Sequence, residues 1–155
     1  MGQKHRRDLP RRRVGASPLI GAGALIYCTT TKRYLFLLRN DKKHTGTWGI
    51  VGGKVEDGET VITGLYREIS EEIQADLTHN KIIPVEKFTS DGEYFVYHTF
   101  LITVSHEFMP VLNDEHRGYC WVPLSDYPKP LHPGVWRTFN FDIVINKLET
   151  VQSVL

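Results

Sequence analysis

The sequence predicts an α/β domain in which helices cover a mixed β-sheet. Apolar segments rich in β-branched and aromatic residues recur along the chain, an amphipathic helix interrupts them, and helical spacing of apolar residues returns near the end. The 155 residues suit one domain, and 41% hydrophobic with 24% charged residues is close to the globular average. This order of elements favours a sheet and helices packed in one unit.

The first two predicted strands are Leu19–Thr29 and Arg33–Arg39, both apolar and rich in β-favouring residues. The polar link between them is short, so the two strands are predicted to form a hairpin. Asn40–Thr47 follows as a loop rich in turn-forming residues. A short apolar segment, Trp48–Val51, then leads to two glycines.

A helix is predicted at Thr60–Gln74, after a polar loop at Gly53–Glu59. Its apolar residues recur every three or four positions and form one stripe, made of Ile62, Leu65, Ile69 and Ile73. Such a stripe indicates a helix that packs one side against the sheet.

The remaining elements are three predicted strands and a closing helix. The strands are Ile82–Phe88, Tyr94–Val104 and Tyr119–Leu124. Helical spacing of apolar residues from Val135 to the end predicts a single final helix, with Pro133 just before its start.

Charge divides the chain into a basic arm, residues 1–17, and a domain, residues 18–155. Residues 1–13 carry six basic residues and one acidic residue, hence +5, and the chain total of +1 leaves −4 for the rest. Such arms are expected to be disordered and solvated, although a basic segment can also contact nucleic acid, anionic lipid or a partner. The chain starts with basic rather than apolar residues, which is unlike a secretory signal.

Two isolated cysteines, Cys28 and Cys120, lie in apolar, strand-like segments. Two cysteines in a chain of this length do not indicate a disulfide scaffold, so we expect reduced core thiols. The sequence also lacks the run of about 18 apolar residues that a membrane-spanning helix needs. Together these features predict a cytoplasmic protein with no membrane partner.

Three carboxylates, Glu68, Glu71 and Glu72, fall on one arc of the predicted helix beside its apolar stripe, at about 100° per residue. Like charges at this spacing repel, and a divalent cation among them would remove that cost. Hard oxygen ligands suit Mg²⁺ or Mn²⁺. A solvated acidic face is the alternative reading of the charges alone.

The segment Gly53–Ala75 as a whole resembles the Nudix box of the Nudix hydrolases, the MutT-like family. That pattern runs Gly, five residues, Glu, seven residues, Arg-Glu, an aliphatic residue, any residue, Glu-Glu, any residue, Gly, an aliphatic residue. The matching positions are Gly53, Glu59, Arg67, Glu68, Ile69, Glu71 and Glu72. The resemblance implies an α/β/α sandwich around a mixed β-sheet, and it extends less specifically over about residues 18–125.

The chain departs from the family pattern at two positions. Gln74 stands where the family has a glycine with positive φ, a conformation that costs a glutamine more, so we expect a different helix end. Val51 stands where a proline often precedes the two glycines. Neither position supplies a ligand or a catalytic group.

The resemblance implies metal ligands at Glu72 and Glu68, then Glu71, with the carbonyl of Gly53. It implies that Arg67 pairs with Glu59 and orients the box. The general base is expected to be a box glutamate, Glu68 or Glu71, or a late-loop glutamate, for which Glu115 is the candidate. Glu115 as a plain turn residue stays an open alternative.

Substrate contacts are expected from residues outside the box. Arg39, Lys42 and Lys43 flank the loop before Trp48, where they are candidates to bind a phosphate. Four aromatic residues are candidates to stack on a base or to belong to the core, namely Tyr27, Phe95, Tyr97 and Trp136. His132 is a weaker candidate for the site.

The implied reaction is metal-dependent hydrolysis of a phosphoanhydride bond in a nucleoside diphosphate linked to another moiety, by water attack on phosphorus. ADP-ribose, nucleotide sugars, dinucleoside polyphosphates and (d)NTPs all remain open, because loops outside the box choose the substrate. The alternatives are an RNA-end decapping pyrophosphohydrolase and a non-catalytic nucleotide sensor. Besides the nucleotide, the expected partners include nucleic acid at residues 4–13 and a second copy of the chain as a homodimer.

Overall fold

A computed structural model describes residues 17–155, so the basic arm lies outside the described residues except for Ser17. The described elements are seven strands and three α-helices. The strands are β1 Leu19–Cys28, β2 Arg33–Arg39, β3 Trp48–Gly49, β4 Val51–Lys54, β5 Ile82–Thr89, β6 Phe95–Val104 and β7 His116–Val122. The helices are α1 Val61–Ile73, α2 Pro133–Phe139 and α3 Asp142–Gln152.

The strands form one mixed sheet, as the sequence predicts. Its main order is β3-β2-β1-β6-β5, with β4 pairing with β1 and β7 pairing with β2. The β1–β6 pair is parallel, whereas β1–β2, β1–β4, β2–β7 and β5–β6 are antiparallel. The parallel pair requires a long crossover, and α1 lies in that crossover.

Helices cover both faces of the sheet and confirm the α/β/α sandwich. Successive side chains of β1 point to opposite faces, so Ala24 and Ile26 pack in one core while Leu25 and Tyr27 pack in the other. The first core includes the buried stripe of α1, and the second includes apolar residues of α2 and α3. Among residues 17–155, no helix is both long and apolar enough to cross a membrane.

Helix α1 matches its prediction, but its end does not. Thr60 caps the first turn by accepting a hydrogen bond from the Thr63 N–H. Gln74 ends the helix with φ 51° and ψ 42°, and its N–H donates to the Ser70 carbonyl. The expected change of helix end is therefore wrong: glutamine adopts the left-handed conformation that the family gives to glycine.

The closing helix is two helices rather than the one predicted. The chain leaves the helical conformation at Phe141, which has φ −90° and ψ 114°. The buried residues explain the break, because Phe139 and Val144 are five positions apart and fall on different sides of a continuous helix. Separate helices allow both residues to reach the same core.

Strand β7 begins earlier than predicted, at His116 instead of Tyr119, and it ends at Val122. The early residues pair with the end of β2, with Arg39 opposite His116 across a register shift. Cys28 is buried and Cys120 is half-buried, and both thiols are free.

Candidate active site

Helix α1 presents its three glutamates at different depths. The Glu72 side chain is 3% exposed and that of Glu68 is 14% exposed, whereas that of Glu71 is 55% exposed. The order follows from the helix geometry, because Glu72 is beside the buried stripe and Glu71 is farthest from it. The three carboxylates thus extend from the sheet to the surface.

Glu72 is a buried acid whose environment disfavours its charge. Its Oε1 accepts a hydrogen bond from the Gly52 N–H at 2.8 Å, which ties the helix to the glycine pair of β4. Burial raises the pKa of Glu72 to about 9, with further increases from Glu115 and Glu68, while the Gly52 N–H opposes the shift. A carboxylate in this position needs a cation or a proton.

Arg67 joins the parts of the box. Its Nε and Nη2 donate to Glu59 at 2.8 and 3.0 Å, and Nη2 also donates to the Lys54 carbonyl at 2.8 Å. Its Nη1 lies 3.1 Å from Glu68 and 3.2 Å from Glu71. The predicted Arg67–Glu59 pair is therefore present, and the guanidinium lowers the pKa of Glu59.

Gly53 lies directly against the Glu68 carboxylate. A Cβ at Gly53 would come within 2.5 Å of the Glu68 Cδ, closer than any real contact. The absence of a side chain leaves room for that carboxylate beside the β4 backbone. Gly53 is therefore close to two helix glutamates: it lies against Glu68, and its neighbour Gly52 donates a hydrogen bond to Glu72. The predicted metal ligand at this position is the Gly53 carbonyl.

The late loop brings Glu115 to the helix. The Val111 and Asn113 N–H groups donate to the carbonyls of Ile73 and Glu72, at the C-terminal end of α1. The Glu115 N–H donates to the Asn113 Oδ1, and one carboxylate oxygen of Glu115 lies within 4.8 Å of a Glu72 oxygen. Two residues about 40 positions apart thus share one site.

His116 is the residue that the sequence reasoning missed. Its side chain is 4% exposed, and its Nδ1 lies 3.7 Å from the Glu72 Oε2. Burial and the nearby Arg39 lower the pKa of His116. The signal in the sequence was its position next to Glu115, at the start of a strand whose alternation turns it inward.

The predicted phosphate-binding residues differ in placement. Arg39 is at the end of β2, and its Nε donates to the Asp41 Oδ1 at 2.7 Å. That contact lowers the pKa of Asp41 to about 2. Lys42 and Lys43 are exposed on the loop that follows. Phosphate binding by these three residues stays a prediction.

The four aromatic candidates differ in how deeply their side chains are buried. Tyr27 is 2% exposed and packs on Tyr34, so it belongs to the core. Tyr97 is half-buried, with its ring over Gly21 and Gly23, and burial raises its pKa. Phe95 is half-buried next to Tyr97, and Trp136 is 55% exposed. His132 caps α2 by accepting from the Gly134 N–H at 3.0 Å.

The donor set fits a divalent cation. One ligand atom from each of Glu72, Glu115 and His116 lies within 4.8 Å of the others, and Glu68 is near enough to raise the pKa of Glu72. The neighbouring Glu115 also raises the pKa of Glu72, because two carboxylates this close repel each other when both are charged. A bound cation would offset the repulsion between the carboxylates and would coordinate the buried ligand atoms.

Comparison with known proteins adds family information to this geometry. The sequence profile described as the NUDIX domain matches residues 18–140. A nucleoside triphosphate pyrophosphatase/Nudix hydrolase fusion protein of Bifidobacterium longum is 40% identical over 54% of this chain, but the match spans 17% of that protein.

Two further curated relatives match over more of their own length. Dihydroneopterin triphosphate diphosphatase of Haemophilus influenzae is 31% identical, over 63% of this chain and 70% of the relative. The nucleoside triphosphatase NudI of Escherichia coli is 33% identical, over 52% of this chain and 64% of the relative. The chain therefore spans about two thirds of these two proteins.

A solved structure has a fold similar to that of this chain. The MutT NUDIX hydrolase of Burkholderia pseudomallei superposes with a TM-score of 0.64 at 29% identity. The superposition covers 79% of this chain and 95% of the Burkholderia chain. This chain thus shares its fold with a protein of known structure.

Proposed function

The chain belongs to the Nudix hydrolase family, and we propose that it hydrolyses the triphosphate of a nucleoside or of a pterin to a monophosphate and pyrophosphate. Water attacks phosphorus, and the bond from that phosphorus to the bridging oxygen breaks. Pyrophosphate leaves with the bridging oxygen, and the water's oxygen stays on the monophosphate. The carrying observation is the buried Glu72 carboxylate, which lies near Glu115 and Glu68.

The triphosphate class is supported by two relatives. The Haemophilus protein carries the name of a dihydroneopterin triphosphate diphosphatase, and the Escherichia protein that of a nucleoside triphosphatase. Both match this chain over half of its length or more. ADP-ribose, nucleotide sugars and dinucleoside polyphosphates are the competing substrates, and the box does not distinguish them.

The family generally uses a divalent metal, and in this chain Glu68, Glu71, Glu72 and the Gly53 carbonyl would hold Mg²⁺ or Mn²⁺. When bound, such an ion lowers the pKa of water and neutralises charge on phosphate oxygens. Burial keeps bulk water away from Glu72, which strengthens its electrostatic interactions. Arg67 holds Glu68 and Glu71 in position through the contacts already described.

Glu115 is the proposed general base. Its residue is exposed in the turn before β7, so its carboxylate can face the attacking water and accept a proton from it. The box alternatives, Glu68 and Glu71, both accept hydrogen bonds from the Arg67 guanidinium, which directs those oxygens towards Arg67 and away from an attacking water. Arg39 is proposed to bind the phosphate chain from the end of β2.

The test is a substrate panel with the purified protein and Mg²⁺. The panel contains dihydroneopterin triphosphate, the NTPs and dNTPs, ADP-ribose and diadenosine tetraphosphate, with products separated by chromatography. We expect kcat/KM for at least one triphosphate to exceed that for ADP-ribose by at least about tenfold, with pyrophosphate as product. The Glu72→Gln protein, purified in parallel, controls for contaminating phosphatases.

Two results would contradict the proposal. Faster hydrolysis of ADP-ribose or diadenosine tetraphosphate would show that this compound, and not a triphosphate, is the preferred substrate of the same type of reaction. Release of inorganic phosphate instead of pyrophosphate from the preferred triphosphate would show that the enzyme cleaves a different phosphoanhydride bond.

A further inference from the structure

The buried imidazole of His116 lacks a partner for one of its nitrogens. His116 is the first residue of β7, and its Nδ1 is fully buried and makes no hydrogen bond within residues 17–155. A buried polar atom without a partner destabilises the fold, and native structures keep few of them. The position of His116 therefore calls for a partner that the described chain does not supply.

The Nδ1 atom of His116 faces a carboxylate oxygen of Glu72. The atom lies 3.7 Å from the Glu72 Oε2, which is too long for a hydrogen bond. The other oxygen of Glu72 is already held by the Gly52 N–H, so Oε2 is the oxygen on the side of the imidazole.

The spacing fits two donors to one metal ion. Atoms that each lie about 2.1 Å from a common ion are roughly 3 Å apart when adjacent and roughly 4 Å apart when opposite. The 3.7 Å separation of Nδ1 and Oε2 falls in this range. One oxygen of Glu115 lies beside this pair, since the ligand atoms of Glu72, Glu115 and His116 are all within 4.8 Å of one another.

We propose that His116 supplies Nδ1 as a nitrogen ligand to the divalent ion held by Glu72 and the other α1 glutamates, and that it favours a first-row transition ion over Mg²⁺. Imidazole nitrogen is a softer donor than carboxylate, and Mg²⁺ strongly prefers oxygen. The inference rests on the proposed function, because it requires a metal at these glutamates.

The experiment detects the nitrogen directly on the full-length protein loaded with Mn²⁺, which is paramagnetic. Electron spin-echo modulation is recorded for protein with natural histidine and for protein with ¹⁵N-labelled histidine. We expect the ¹⁴N modulation of a directly bound nitrogen, replaced by that of ¹⁵N after labelling. This comparison uses the wild-type chain, so it does not depend on a variant that folds.

Variants assign the signal to one residue. His116→Gln is expected to lose the nitrogen modulation, whereas His79→Gln, at an exposed turn, keeps it. Titration calorimetry should show Mn²⁺ affinity falling about ten- to a hundredfold in His116→Gln. Mg²⁺ affinity should change by less than about threefold, because oxygen ligands dominate its binding.

Each contrary result has a different meaning. Mn²⁺ bound by the wild type without histidine nitrogen modulation would overturn the role of His116 and leave the metal and the hydrolase proposal standing. Modulation that persists in His116→Gln would also overturn it. A wild-type protein that binds no Mn²⁺ would overturn both this inference and the metal-dependent reaction.

Discussion

Glu72 accepts a 2.8 Å hydrogen bond from the Gly52 N–H on one oxygen, while the Nδ1 of His116 lies 3.7 Å from the other. The relationship joins α1, β4 and β7 at one buried carboxylate. A side chain that is 3% exposed is thereby fixed in one orientation, with its charge unfavourable unless a cation is present. A buried, hydrogen-bonded carboxylate beside a buried histidine differs from the solvated glutamates of an acidic helix surface.

Glu72→Gln is expected to reduce turnover by at least about a hundredfold while the protein stays folded. Loss of a metal ligand removes several kcal/mol of transition-state stabilisation, and each 1.36 kcal/mol is tenfold in rate. The amide can still accept from Gly52 and no longer repels Glu115. Turnover and thermal unfolding check this, and a variant with near-normal activity would refute the role of Glu72.

Gly53→Ala is expected to damage activity more than stability. Its Cβ would displace the end of the Glu68 side chain, and a catalytic group moved by about 1 Å can cost a hundredfold in rate. Gly52→Ala is the matched contrast, because its Cβ would meet the backbone carbonyl of Ala22 within the β1–β4 pair. We expect that variant to lose about 1–3 kcal/mol of unfolding free energy.

Chemical denaturation and turnover of both variants separate the two effects. Equal losses of stability in Gly53→Ala and Gly52→Ala would show that Gly53 has a structural role and does not make room for Glu68.

Turnover measured against Mg²⁺ concentration for Glu115→Gln distinguishes a base from a ligand. A lost base lowers the maximal rate by about 10²–10⁴ and leaves the metal dependence unchanged. A lost ligand shifts the curve to higher Mg²⁺, so added metal restores part of the rate. Curves that overlap with the wild type would remove Glu115 from the mechanism and leave Glu68 or Glu71 as the base.

Gln74→Gly is expected to stabilise the protein by about 1 kcal/mol. Gln74 has φ 51°, a left-handed conformation that costs non-glycine residues about 1–2 kcal/mol, part of which the more flexible unfolded glycine chain offsets. Gln74→Ala, which keeps the Cβ, should leave the stability nearly unchanged. A denaturant midpoint that falls in the glycine variant would contradict this account of the helix end.

Asp41→Asn should destabilise the protein at neutral pH by about 1 kcal/mol, reduced from the full shift because both side chains are partly exposed. Arg39 lowers the folded-state pKa of Asp41 from 3.8 to about 2. The ion pair therefore stabilises the fold above pH 3.8, and this stabilisation is lost as the pH falls towards 2. The difference between wild type and variant should shrink over that window, as urea unfolding at several pH values would show.

The local patterns of the sequence determined the elements and the box. The apolar stripe of the box helix determines which side of α1 is buried, and the continuous apolar segment of β1 fits a strand buried on both faces. The spacing of Arg67, Glu68, Glu71 and Glu72 along one helix likewise gives their relative directions. These features need no information about distant parts of the chain.

Only the tertiary structure decided which of these groups share the buried centre. His116 and Glu115 reach Glu72 because β7 pairs with β2 and the late loop bonds to the end of α1, contacts between residues about 40 to 90 positions apart. The left-handed Gln74 and the break at Phe141 are decided in the same way, by packing that outweighs local preference. A helix specifies the direction of its own side chains, but the depth of Glu72 and the partners of its two oxygens depend on what the rest of the chain places against it.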